Sequence, residues 1–199
     1  MIARDKAIIA DLERFRVMSR DDVAELHYNH VKNPITEANK TLLRLRRDGL
    51  IGVSKERRKY LYFPQHSIKK DSQKVGHFLA ILDFYKQMRR HEQPRVFDVE
   101  PKVGDKGLPE PDAFAIWKGA PFYIEIQNSI YSAKQMAEKL NRYESYYHSD
   151  EWKEAEWQPR DKKIFPYVWI VGGQRYEIGT TSFRVLQGGV EIIVNRQRG

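Results

Sequence analysis

Between Pro111 and Gln127 the chain reads PDAFAIWKGAPFYIEIQ, with Asp112 at the head of one apolar run and Glu125 and Gln127 inside the next. A strand-forming segment carries few carboxylates unless they have a task or a partner. Two acids that converge across adjacent strands hold a divalent metal, or are the relic of a site that did. Period-2 geometry puts Glu125 and Gln127 on one face of their strand and turns Ile124 and Ile126 into a core on the other. Asp112, on the neighbouring antiparallel strand, approaches the face of Glu125. Their carboxylate oxygens, with the Ile126 carbonyl, suit Mg²⁺ or Mn²⁺, hard cations that keep waters and take phosphate oxygens as further ligands. Such an ion lowers the pKa of a bound water and offsets charge in phosphoryl transfer.

A second set of residues could hold a polyanion. Lys40, Arg44 and Arg47 recur at i, i+4 and i+7 on a helical pattern whose buried stripe is Ala38, Leu42 and Leu45, so three cations are expected to point outward. Lys55, Arg57 and Arg58 follow on a polar tip between two short strand-like pieces, 50–53 and 59–63. The net charge of +8 is concentrated around them. Residues 1–70 hold 16 Lys or Arg against 9 Asp or Glu, whereas residues 71–199 hold 19 against 18. A localised positive field of this kind fits nucleic acid.

The elements that must position these groups can be read from periodicity and caps. Ile8, Ile9, Leu12 and Phe15 mark a first helix. Ser19, with Asp22 three residues on, opens a second helix. A third is expected from Thr36, after Pro34, to Gly49, a residue free to take positive φ. Three helices followed by a basic hairpin is the order of a winged helix-turn-helix. The segment TLLRLRRDGLIGVSKERRKYLYF resembles the recognition helix and wing of many bacterial winged-helix DNA-binding domains, which implies a third helix in the major groove and wing cations on flanking phosphates.

Residues 64–74 are polar and aperiodic, and the expected domains are 1–66, a linker at 67–75, and 76–199. In the last, a helix marked by Val75, Leu79, Leu82, Phe84 and Met88 precedes expected strands at 95–102, 112–117 and 122–127, the last two joined at Lys118-Gly119. A helix from about 131 to 147 carries Met136, Leu140, Tyr143 and Tyr147 on one stripe. The strand 164–171 follows, and two final strands, 183–186 and 190–194, flank Gly188-Gly189.

The order α, β, β, β, α, β, with Pro111-Asp112 before one strand and Glu125-Ile126-Gln127 in the next, resembles the PD-(D/E)XK nuclease superfamily. The resemblance implies an α+β protein of two domains, a winged helix followed by an αβββαβ nuclease-like core. It also implies that Asp112, Glu125, Gln127 and Lys139 form the catalytic set, with Asp112 and Glu125 on the metal. Gln127 stands where the superfamily usually has Lys; a neutral amide can orient water but cannot offset charge. Lys139 and Tyr143, four apart on the following helix, stand where RecB-like members carry Gln and Tyr, and Lys139 is the candidate for the displaced cation, with Lys134 as a second.

Over most of its length the chain is similar to the replication-relaxation family of bacterial plasmids, integrative elements and phages. The matching residues are Pro111, Asp112, Glu125, Lys139 and Tyr143, with RLRRDGLI upstream. That family's strand has Glu-x-Asp where this one has Glu-x-Gln. The resemblance implies replication, relaxation or nicking of mobile-element DNA. The implied partners are duplex DNA and a relaxase or replication protein; a homodimer is a separate expectation that the sequence leaves open. Two functions stay open: a metal-dependent endonuclease or nickase, and a non-catalytic DNA-binding accessory or regulatory factor on a nuclease scaffold.

Several chemistries are excluded or disfavoured. Cysteine is absent, so there is no disulfide frame, thiol nucleophile or Cys-ligated zinc. No apolar run approaches the roughly 20 residues of a membrane helix. The charged start, MIARDKAIIADLERFR, is unlike a secretory signal, and the expected location is the cytoplasm. His27 and His30 lack a third ligand at metal spacing, and no base accompanies Ser129 to Ser132.

Overall fold

Ser19 shows how local chemistry sets the architecture. Its hydroxyl accepts a hydrogen bond from the Asp22 N–H while the Asp22 carboxylate accepts from the Ser19 N–H, so the two close a capping box. That box turns the two-residue strand β1 (Met18–Ser19) directly into helix α2 (Arg20–His27). The computed structural model describes residues 1–54, 59–65, 74–104 and 107–195. It is a mixed α+β structure with two sheets and, among the described residues, six α-helices. The chain divides into two compact units, Met1–Leu82 and Asp83–Gly199. No helix among the described residues is long and apolar enough to cross a membrane.

In the first unit, α1 (Ala3–Phe15) precedes β1, and α3 (Pro34–Arg47) follows α2. Helix α3 starts at Pro34 rather than at Thr36, because proline's missing N–H costs nothing in a first turn. It ends before Gly49, which takes φ 71°. Strands β2 (Ile51–Ser54) and β3 (Leu61–Pro64) then complete an antiparallel sheet of order β1-β3-β2. Ile8, Leu12 and Phe15 of α1 and Ala38, Leu42 and Leu45 of α3 are fully buried, the stripes that their spacing predicts.

Helix α4 (Lys74–His91) spans the division between the units. In the second unit, β4 (Val96–Val99), β5 (Ala113–Trp117) and β6 (Ala120–Ile126) are antiparallel neighbours. Helix α5 (Ala133–Ser149) leads to β7 (Tyr167–Val171), parallel to β6, and β8 (Val185–Gln187) lies parallel to β7. Lys118 and Gly119, at φ 48° and 78°, form the two-residue turn from β5 to β6, the positive-φ pair that suits the twist of a hairpin.

One sheet face carries Phe114, Ile116, Tyr123, Val168 and Ile170 against Met136, Leu140, Tyr143 and Tyr146 of α5. The other face carries Trp117, Phe122 and Trp169, and Phe84 of α4 meets the Trp169 ring edge-on at 5.0 Å. Covered on both faces, β5 is buried at every residue.

Several expected boundaries shift. The first strand of this sheet stops at Val99 because Glu100 turns to φ 47°. Strand β7 starts after Pro166, which has no N–H for the ladder. Ser132 caps α5 with Gln135, moving the helix two residues on, and Tyr146 rather than Tyr147 completes its buried stripe. The expected strand at 190–194 is instead a single helical turn, α6 (Glu191–Val194), and among the described residues no terminal hairpin forms. Gly188 takes φ 126° and the Glu191 carboxylate accepts the Gly189 N–H, so the chain curls away from β8.

Candidate functional site

Glu125 sits near the end of β6, on the face it shares with Tyr123, and only 1% of it is exposed. The sequence places Ile124 and Ile126 in the core and leaves the Glu125 face open; the structure buries that face too, beneath α5. The spacing of α5 explains the contact. Lys139 and Tyr143, one helical turn apart, both reach Glu125: the Lys139 ammonium donates to Oε2, and the Tyr143 hydroxyl donates to Oε1 at 2.6 Å. Both carboxylate oxygens are therefore engaged.

The electrostatics follow from that enclosure. Burial pushes the Glu125 carboxyl up to about 7; the charge and hydrogen bond of Lys139 and the Tyr143 hydroxyl oppose the rise, and the charge of Asp112 adds to it. Burial works against the Lys139 ammonium, but Glu125 outweighs it and holds the lysine above its ordinary range. Burial, then the Glu125 charge, keeps Tyr143 a phenol.

Asp112 precedes β5, and its Oδ2 accepts the N–H of Ile126 at 2.6 Å, which anchors it beside the end of β6. Gln127 follows the strand, with its N–H donating to the Val171 carbonyl at 2.8 Å. Its Oε1 accepts from the Tyr176 hydroxyl at 2.8 Å, and Tyr176 in turn accepts the Tyr131 N–H at 3.0 Å. The Gln127 Nε2 is buried without a hydrogen-bond partner. A Cβ on Gly172 would stand 3.1 Å from the Gln127 Cβ, so the small residue lets β7 run close to this amide. Beyond it, at the carboxyl ends of β6 and β7, Gln127, Asn128, Ser129, Ile130, Gly173 and Gln174 line an open cavity of about 630 Å³.

Asp112, Glu125, Gln127 and Lys139 thus come to one end of β6. Lys134 does not: its side chain is 86% exposed and faces Glu138 at 4.0 Å. Among the described residues no group of three or more His, Cys, Asp or Glu side chains comes together as a metal centre. The carboxylates of Asp112 and Glu125, both at this end of β6, have the hard oxygen donors that Mg²⁺ or Mn²⁺ prefers. At Glu125, however, such an ion competes with the Lys139 ammonium, which already holds Oε2.

In the first unit the three cations expected on α3 part company. The side chains of Lys40 and Arg47 are 67% and 74% exposed, beside Glu37 and Asp48. Arg44 is not an outward cation: it makes a bidentate pair with the buried Asp5 of α1, at 2.7 and 3.0 Å. Lys55, Arg57 and Arg58 lie outside the described residues. Arg46, which sequence reasoning passed over, is exposed on α3 about a third of a turn from Lys40 and Arg47, an offset that a search for i, i+4 and i+7 cations does not pick up. Also unforeseen is a cavity of about 300 Å³ lined by Ser19, Arg20, Asp21, Asn39, Lys59, Tyr60 and Tyr62. There Arg20 and Lys59 both pair with Asp21, at 2.8 and 3.2 Å.

No protein-family model matches this sequence, and no curated protein is significantly similar to it.

Proposed function

We propose that this protein binds duplex DNA through a winged helix formed by its first unit, and that its second unit is a PD-(D/E)XK-type scaffold acting on the DNA of a bacterial mobile element in replication, relaxation or nicking. The observation that carries the reading is the meeting of Asp112, Glu125, Gln127 and Lys139 at one strand end. That meeting occurs within an element order, α4, β4, β5, β6, α5, β7, whose antiparallel trio is followed by a parallel fourth strand. A buried acid raised toward neutrality beside a lysine is the kind of pair that functional sites concentrate. The exposed Lys40, Arg46 and Arg47 support the DNA-binding half.

In this reading Asp112 and Glu125 would hold Mg²⁺ or Mn²⁺, which supplies positive charge and an acidified water when bound. The chain's own residues do the rest. Lys139 neutralises Glu125 and, once released from it, offers its ammonium to a phosphate oxygen. Gln127, whose Nε2 has no partner, offers a donor at the site's edge. Tyr143 fixes the orientation of the Glu125 carboxylate.

A second reading is favoured by one observation, that both Glu125 oxygens are already satisfied by Lys139 and Tyr143. A closed pair of this kind suits a non-catalytic accessory factor in which the lysine replaces the metal.

One experiment separates the readings. The protein is incubated with supercoiled plasmid in Mg²⁺, Mn²⁺ or EDTA, alongside mobility shifts on linear duplex. Nicking that needs the metal and disappears in Asp112→Asn and Glu125→Gln supports the nuclease; a shift without nicking supports the accessory factor. No shift in any condition overturns the DNA-binding proposal.

A further inference from the structure

With Arg44 turned away to Asp5, the exposed residues of α3 include Thr36, Asn39, Lys40, Leu43, Arg46 and Arg47, with Ile35, 40% exposed in the first turn, just beyond the Arg46 border. At 100° per residue these six fall within roughly a third of the helix circumference. Lys40 and Arg47 lie along one border, and Asn39 and Arg46 along the other. In the middle lies Leu43, 65% exposed. A single exposed leucine is ordinary on a protein surface. This one occupies the centre of a face that is otherwise polar and cationic, on a helix whose apolar needs are met by buried Ala38, Leu42 and Leu45 on the opposite side. The Asn39 border carries Arg46 and runs on into the cavity that also holds Tyr60, Arg20 and Lys59, the last two sharing Asp21, so cations lie on both flanks of the centre.

Charge complementarity selects the occupant. Cations on either side of a helix face, with a short polar and an apolar side chain between them, match a major groove: phosphates on both rims and base edges on the floor. Only thymine places a methyl group on that floor, and Asn is the side chain whose amide pairs with adenine N6 and N7.

We propose that α3 reads A·T base pairs in the major groove, with Leu43 packing on a thymine methyl and Asn39 hydrogen-bonding a neighbouring adenine. Lys40, Arg46 and Arg47 hold the backbone around them. The assignment rests on the DNA-binding reading above and gives it a sequence preference.

The test begins with selection of bound duplexes from a randomised library by the full chain, followed by titration of the selected duplex by fluorescence anisotropy. Thymines are replaced one at a time by deoxyuracil, which lacks only the methyl, and adenines by 7-deazaadenine, which lacks N7. At one thymine the wild type should lose about fourfold in affinity, the factor that burying one methyl group carries. Leu43→Ala, a change at an exposed position, should bind the two duplexes equally. At one adjacent adenine 7-deaza replacement should weaken wild type but not Asn39→Ala. Selected duplexes without a fixed A·T pair, or a thymine methyl whose loss weakens Leu43→Ala as much as wild type, overturn the proposal. If no duplex binds at any salt concentration, the DNA-binding reading falls as well, so the two failures are distinguishable.

Discussion

Asp5 and Glu125 are both acids with 1% of their surface exposed, each facing a cation on a later helix. They nevertheless end in opposite electrostatic states. At Asp5 the hydrogen bonds from Arg44 are the largest influence; with its charge they outweigh burial and hold the carboxyl below its ordinary range. At Glu125 burial is the largest influence, and Lys139 and Tyr143 together do not cancel it, so the carboxyl stands near 7. The guanidinium of Arg44 keeps contact with water, and its planar fork meets both Asp5 oxygens. Lys139 is a point charge that meets one oxygen and leaves the other to a neutral phenol. The first arrangement pins α1 to α3. The second keeps a buried carboxyl near neutrality beside an ammonium that holds its proton more firmly than usual.

The largest expected effect comes from removing each cation. Lys139→Met should destabilise the second unit by about 3 kcal/mol at pH 8, because the buried acid loses its cation and must be protonated against the pH to stay folded. Arg44→Met should cost less, since the Arg44 side chain is itself 39% exposed and its shortening opens Asp5 to solvent. Acid sharpens the contrast. At pH 5 Glu125 is already protonated, so the Lys139→Met loss should shrink, whereas Asp5, held low, stays ionised and the Arg44→Met loss should persist. Urea titrations at the two pH values measure both. Equal losses at both pH values for Lys139→Met would make the two pairs the same kind of object.

Much of this contrast was legible before the fold was known, though unevenly. The i, i+4 spacing of Lys139 and Tyr143, with a Glu two residues from the end of a strand-like run, is local information, and α5 over β6 realises it. Ser19 with Asp22, and Gly49 after the arginines, were legible for the same reason: a cap needs only neighbours. The Asp5–Arg44 pair spans 39 residues and depends on how α1 packs on α3, so helical periodicity alone made Arg44 an outward cation. Glu125 looked half-exposed because alternation distinguishes two faces but does not say that a helix covers the second. The run Glu191–Val194 fits a strand or a helical turn equally well over four residues, and the positive φ of Gly188 together with the Glu191 cap decided it.

A smaller effect, opposite in sign at the two acids, should appear in stability against pH. Glu125 is raised in the folded state, so its protonated form favours folding. That contribution is present below the unfolded value of about 4.3 and is lost as pH rises toward 7. Asp5 is lowered, so its contribution is present above the unfolded value of about 3.9 and is lost as pH falls through its folded value. Subtracting the Glu125→Gln curve from that of the wild type should therefore leave a difference that declines between about pH 4.5 and 7. The same subtraction with Asp5→Asn should leave one that changes only below about pH 4. A Glu125 difference that rises with pH would mean that Lys139 dominates burial.

The smallest expected effect isolates the hydrogen bond that Glu125 accepts from a buried side-chain hydroxyl, where Asp5 accepts only a long one from the Ile2 N–H besides those of Arg44. Tyr143 donates to Glu125 Oε1 at 2.6 Å from a fully buried phenol, and its ring packs on Tyr123 and Phe183 at 5.8 and 6.0 Å. Tyr143→Phe keeps the ring contacts and deletes only the donor. A hydrogen bond to a charged group contributes about 1.5–3 kcal/mol and one to a neutral group about 0.5–1.5. The cost should therefore lie near the upper range at pH 8, where Glu125 is ionised, and near the lower range at pH 5. Losing the donor should also raise the Glu125 carboxyl further above 7, since this bond is one of the influences that lower it. Carboxyl carbon NMR of Glu125 in the wild type and Tyr143→Phe reads that shift directly. An unchanged titration midpoint with an unchanged pH 5 to pH 8 stability difference would show that the phenol merely fills space, and that the ammonium alone sets the state of the acid.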